Sequence, residues 1–113
     1  MGDVTSPEDR SRWLAEVKRL HGAGPSILVN NAEQNIKTEA AKTSEEEIES
    51  LLRTHVIAAF ALSREVQPDM VAAGHGSILF IASMASFLAI PKIVGYTAAK
   101  TSVLGIVRSR YPR

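Results

Sequence analysis

GSILFIASMASFLAIPKIVGYTAAKT, residues 76–101, is the stretch whose reading decides the fold. Ile78 to Ala82 is a short apolar run that reads as a buried strand. Ser83 stands where such a strand would emerge. A turn-like region around Pro91 follows. A helical stretch then carries Tyr96 and Lys100, four positions apart and so on one face. A strand end, a hydroxyl, a phenol and an ammonium are the parts of a proton-transfer site. Taken singly they are weak signals, because Tyr-x-x-x-Lys occurs by chance on many solvated helix faces.

Upstream lies a second strand, Ile27 to Val29, closing on Asn30-Asn31-Ala32. Nothing polar interrupts it, which suits a strand covered on both faces. Residues 33–43 are polar and aperiodic and read as a loop. Loops leaving the carboxyl end of such a strand line ligand crevices. The connecting segment is a long helix. Thr43 or Ser44 caps it, and Glu45, Glu46 and Glu47 suit the positive end of its dipole. Ile48, Leu51, Leu52, Val56, Ala59, Phe60, Ser63 and Val66 form its apolar stripe. His55 lies beside that stripe, and Pro68 is expected to kink or restart the helix.

A further helix opens at Ser6, with Pro7 in its first turn and Asp9 three residues after the cap. Trp13, Leu14, Val17 and Leu20 form its core-facing side, with Arg10, Arg12, Glu16 and Lys18 opposite. Gly22 and Gly24 end it. Gly74-His75-Gly76 is a turn, and the last helix runs from about Ile93 to Arg108, with Ala98 and Ala99 allowing close approach. The tail from Arg108 to Arg113 breaks the pattern. The order helix, strand, helix, strand, helix argues for a parallel sheet with helices on its faces.

Composition bounds the function. A chain of 113 residues holds one domain. Hydrophobic residues at 45% and charged residues at 22% mark a globular chain, not a disordered one. A formal net charge of +1, with no basic stripe, argues against nucleic acid and against an anionic membrane as partner. No apolar run is long enough to span a bilayer, and the polar start, MGDVTSPEDR, is not a signal peptide. The absence of cysteine removes disulfides and zinc–thiolate sites and fits a reducing, cytoplasmic setting, with an organelle left open. No metal site is expected, because the Glu45–Glu47 run reads as solvated, dipole-compatible charge.

Together these residues resemble the short-chain dehydrogenase/reductase family: Asn-Asn-Ala after one strand, Ser83 after the next, then Tyr96 and Lys100. The resemblance covers nearly the whole chain and is similar in the 3-oxoacyl, tropinone and carbonyl reductase branches. It implies a partial Rossmann-like, doubly wound α/β sheet, missing an N-terminal βαβ unit and the C-terminal strands, in one domain over residues 1–113. It implies hydride exchange between NAD or NADP, with NADP favoured, and a small carbonyl or alcohol. Tyr96 would be the acid/base. Lys100 would lower its pKa and hold the nicotinamide ribose, and Ser83 would hydrogen-bond the substrate oxygen. Asp3 would contact the adenine, and Asn30 and Ala32 would steady the central strand and border the cofactor. A homo-oligomer through the helices at 44–72 and 93–108 is implied as well.

Three departures stand beside that resemblance. Glu33 replaces the glycine after Asn-Asn-Ala, where the dinucleotide approaches. His55 replaces the asparagine of the middle helix. No glycine-rich Thr-Gly-x-x-x-Gly-x-Gly turn is present. Two readings follow: an oxidoreductase of this family, or a non-catalytic remnant or interaction module that does not hold the dinucleotide by itself.

Overall fold

The computed structural model describes residues 1–110, with the backbone alone at Arg110. Helix α1 spans Pro7–His21, strand β1 Ile27–Asn30, helix α2 Glu45–Leu52 and helix α3 Ala59–Ala73. Strand β2 spans Ser77–Phe80 and helix α4 Val94–Arg110. The expected order holds. The strands pair in parallel, from Ile27 opposite Ser77 to Asn30 opposite Phe80. Asn30 therefore belongs to the first strand, and the second ends at Phe80 and not at Ala82. Helix α4 runs past the expected stop at Arg108, and the end of the tail, residues 111–113, lies outside the described residues.

Local chemistry sets the helix ends. The Ser6 hydroxyl accepts from the Asp9 amide at 3.2 Å, satisfying one free N–H of α1. Ser44 and Glu47 form a reciprocal capping box: the Glu47 amide donates to the Ser44 hydroxyl, and the Ser44 amide donates to the Glu47 carboxylate. Gly22 and Gly74 close α1 and α3 in the left-handed region, where a Cβ is penalised.

Helix α1 corrects its expected orientation. Its buried residue is Arg10, at 6% exposure, whereas Leu20 is 60% exposed. Trp13, Leu14 and Val17 are half-buried. The Arg10 guanidinium donates to the Val4 carbonyl at 2.8 Å and pairs with Glu65 of α3 at 3.2 Å. Lys18 meets Asp69 of α3 at 2.9 Å. Charge pairs therefore tie α1 to α3. A buried guanidinium needs such partners, since an unpaired one is strongly penalised.

Between α2 and α3 the chain widens into a π-helical turn, Arg53–Ala58, with no proline or glycine in it. The extra backbone shifts the buried stripe. Leu51, His55, Ala58, Ser63, Val66 and Met70 face inward, with a five-residue step between Ala58 and Ser63 where a regular turn gives three or four. The expected stripe residue Phe60 is 43% exposed, and His55 is 4% exposed. Pro68 lies inside α3, which continues to Ala73 without restarting.

Helices α2 and α4 approach closely at Gly95, at the start of α4. A Cβ there would stand 2.7 Å from Leu51 Cδ1 of α2. Ala99 is fully buried as expected, but Ala98 faces out. The sheet also departs from expectation. Leu28, Asn30, Ile78 and Phe80 are half-buried, and Asn30 is bonded to α3. Ile27, Val29 and Leu79 on the opposite face are 63%, 49% and 45% exposed. Strand alternation makes one covered and one open face of a sheet that has two strands among the described residues.

The segment at 33–43 is more ordered than an aperiodic loop. It contains a short 3₁₀ turn, Ala40–Lys42. The Thr38 amide donates to the Lys92 carbonyl at 2.9 Å, bridging the segment to the two residues before α4. The Thr38 hydroxyl donates to Glu47 at 3.1 Å. Gln34 donates its side-chain amide to the Ser50 hydroxyl at 2.7 Å.

Candidate active site

Three of the expected residues converge at the carboxyl end of β2. Tyr96 and Lys100 project from one face of α4 and are both buried, at 8% and 3% exposure. Ser83 follows β2 and caps the 3₁₀ turn Met84–Ser86. Its hydroxyl accepts from the Ala85 amide at 3.2 Å, and its own amide donates to the Ser86 hydroxyl at 3.3 Å. Ser86 in turn donates to the Lys100 carbonyl at 3.0 Å, stapling the strand end to α4.

The partners of these groups are less expected. The Tyr96 phenol donates to Glu33 Oε1 at 2.8 Å. Lys100 Nζ donates to the Ile81 carbonyl at 2.7 Å, lies 3.9 Å from Glu33 Oε2, and sits 5.6 Å from the Tyr96 ring centroid. His55 meets the Tyr96 ring edge-on, with centroids 5.4 Å apart. Its Nε2 lies 2.7 Å from the Gln34 carbonyl, an acceptor, which places the imidazole proton on Nε2.

Electrostatics follow from these contacts. Burial, then the hydrogen bond to Glu33, push the Tyr96 phenol above its ordinary value of about 10, and Ser83 beside it works in the opposite direction. The net shift is upward, where the resemblance implied a downward one from Lys100: the ammonium is engaged with the Ile81 carbonyl, and a carboxylate stands at the phenol. Burial drives the His55 imidazole below its ordinary value of about 6.5, opposed by the Gln34 carbonyl and reinforced by Lys100. His55 is therefore neutral at pH 7.

The residues expected at the cofactor fall around two adjoining hollows. Asn30, Ala32, His55 and Lys100 border a cavity of about 50 Å³. Asp3, Ala32, Glu33 and Gln34 border an open depression of about 400 Å³. Ala32, Val4 and Thr54 border both. Asn30 donates to the Ser63 hydroxyl at 3.0 Å and to the Leu79 carbonyl at 3.3 Å, so it ties β1 to α3 and β2. The Asp3 carboxylate accepts from the Thr5 amide at 2.8 Å, which holds it below the usual carboxylate range. Ser83 and Tyr96 border neither hollow. No group of three or more metal-ligating side chains occurs among the described residues, and no helix among them is long and apolar enough to cross a membrane.

A parallel α/β layer with Asn30 at one strand end, Ser83 beyond the next and Tyr96 and Lys100 on the following helix defines the Rossmann-like class of α/β proteins. The short chain dehydrogenase family model matches residues 1–110, and the chain belongs to that family. It is 36% identical over 102 residues to Dehydrogenase RED3 of Cochliobolus heterostrophus, covering 90% of this chain and 52% of that protein. It is 34% identical over 107 residues to Dehydrogenase/reductase SDR family member 4 of Homo sapiens, covering 94% and 38%. Among solved structures, a gluconate 5-dehydrogenase from Burkholderia cenocepacia in complex with NADP and tartrate matches with TM-score 0.85 and 30% identity, over 96% of this chain and 42% of that one. A 4-hydroxyisoleucine dehydrogenase complexed with NADH and succinate matches with TM-score 0.84 and 25% identity, over 96% and 52%. The chain spans about half the length, or less, of the relatives it matches.

Proposed function

We propose that the chain carries the proton-transfer half of an oxidoreductase site that moves a hydride between NAD(P)(H) and a small carbonyl or alcohol. The convergence of Ser83, Tyr96 and Lys100 at one strand end carries this reading. Hydride addition to a carbonyl leaves negative charge on oxygen, which needs a proton. Tyr96 delivers it, Ser83 holds the oxygen by hydrogen bond, and Lys100 supplies positive charge beside the ring. In the reverse direction Tyr96 takes the proton of the alcohol.

The cofactor, when bound, supplies or accepts the hydride. The open depression suits it at the adenine end, where Asp3 and Ala32 line the wall and Asn30 fixes the strand behind. Lys100 and Tyr96 would meet its ribose once the ammonium leaves the Ile81 carbonyl. The solved relatives bound to NADP and to NADH support a dinucleotide and leave the choice between them open, with NADP favoured here. Exposed Ile57, Phe60, Val94 and Val107 on the segments at 44–72 and 93–108 support pairing with a second copy.

The half-open sheet favours a second reading, a non-catalytic interaction module, since its apolar face has no cover among the described residues. Titration of the chain with NADPH and NADH, followed by addition of simple ketones and aldehydes, separates the two. Saturable binding with carbonyl-dependent loss of reduced cofactor supports the oxidoreductase. Absence of both at millimolar cofactor overturns it for this chain.

A further inference from the structure

We propose that Glu33 is a built-in occupant of the substrate-oxygen position, its carboxylate taking the phenol hydrogen bond that a carbonyl or alcohol oxygen must displace. The proposal rests on the assignment of Tyr96 as the proton-transfer group. It starts from a substitution visible in the sequence, a glutamate where the resemblance leads one to expect glycine, and from where that side chain lies. Oε1 sits 2.8 Å from the Tyr96 hydroxyl, and Oε2 lies 3.9 Å from Lys100 Nζ. One carboxylate thus faces both groups that a bound substrate and cofactor would engage.

The position of Glu33 is held, not incidental. The next residue, Gln34, is fastened twice: its carbonyl accepts from His55 at 2.7 Å, and its side chain donates to Ser50 at 2.7 Å. Thr38 bridges the far side of the segment to Lys92 and Glu47. The charged and titratable groups facing Tyr96 are Glu33 from this segment, Lys100 from α4 and neutral His55 from the π-helical turn. Lys100 is committed to the Ile81 carbonyl, so the Glu33 charge is the one in direct contact with the phenol. A carboxylate there stabilises the protonated phenol and disfavours phenolate, in keeping with the upward shift already described. Glu33 itself is half-exposed, its side chain 47% accessible, so it has solvent to swing into. A substrate oxygen therefore competes with an internal acceptor before it can receive the Tyr96 proton.

The test uses the full chain labelled with [13Cζ]-tyrosine, which gives two resonances, from Tyr96 and Tyr111. Tyr111→Phe assigns them. In Glu33→Ala the Tyr96 resonance is expected to move upfield at neutral pH, as its hydrogen bond to a charged acceptor is lost, and its alkaline titration midpoint to fall. Glu33→Gln, which keeps an acceptor and removes the charge, is expected to lower the midpoint too. Glu45→Gln, a distant exposed carboxylate at the start of α2, leaves both unchanged. A Tyr96 resonance at the same position at neutral pH in wild type and Glu33→Ala overturns the proposal, as does a midpoint that stays or rises. These readouts need no cofactor. Failure to bind dinucleotide refutes the function proposed above and leaves this comparison intact, while an unmoved Tyr96 in a chain that turns over carbonyls refutes the Glu33 device alone.

Discussion

The two faces of the sheet are built to different standards. On the covered face, Leu28, Ile78 and Phe80 turn inward, and the helices on that side bury Leu51, Ala58, Val66, Ala99 and Val103. At the end of this layer Ser83 and Lys100 are linked through Ser86, Lys100 is held by the Ile81 carbonyl, and Tyr96 is held by Glu33. On the other face Ile27, Val29, Leu79 and Ile81 stand 39–63% exposed. The difference teaches that Ser83, Tyr96 and Lys100 are placed by contacts internal to the chain, and that the open side of the sheet contributes only backbone to them, the Ile81 carbonyl that accepts from Lys100.

Substitutions can break or sharpen that contrast. Leu51→Ala removes a side chain that is 1% exposed and packs against Gly95 at the start of α4. It is expected to cost about 2–5 kcal/mol in urea unfolding and to loosen Tyr96, because the helix carrying it loses a close neighbour. A cost under about 1 kcal/mol would show that the covered face is not the packed one.

The pH response of His55 is a smaller effect of the same packing. Its folded pKa is depressed, so below about pH 6.5 the unfolded chain takes up a proton that the folded chain resists. Stability is fully present above that value and is lost as pH falls toward the folded pKa. The urea midpoint should therefore drop between about pH 7 and pH 5.5, and His55→Asn should flatten the drop. The other two histidines, His21 and His75, are exposed. An equal drop in His55→Asn would assign the response to other groups.

The smallest effect belongs to the open face. Val29→Thr and Leu79→Thr are expected to change stability by no more than about 0.5 kcal/mol, measured by the same unfolding curves. A loss like that of Leu51→Ala would mean that this face is covered in solution.

The element order was readable because a β-branched run and a 3.6-residue stripe leave different periods. The convergence of Ser83, Tyr96 and Lys100 was readable for the same reason: Tyr96 and Lys100 share a face at four residues apart, and Ser83 follows a strand. Arg10 was misplaced although its spacing was visible. It lies three before Trp13 and four before Leu14, hence on their stripe, and its charge argued for the wrong side until Glu65 supplied a partner. The widened turn at Arg53–Ala58 has no proline or glycine to announce it, so His55 was set beside the stripe and Phe60 on it, whereas Ser63 and Val66 face inward as expected. Glu33 was conspicuous as a departure, but its partner lies 63 residues away, beyond any local pattern. The Ile81 carbonyl that holds Lys100 is backbone, which no side-chain motif encodes.

The central claim is that Tyr96 transfers the proton, and the comparison of wild type with Tyr96→Phe in a carbonyl-dependent NADPH oxidation assay tests it most directly. The account predicts that NADPH binding is retained while turnover falls about 10²- to 10⁴-fold, the contribution of a positioned acid–base group. Turnover unchanged in Tyr96→Phe would contradict it.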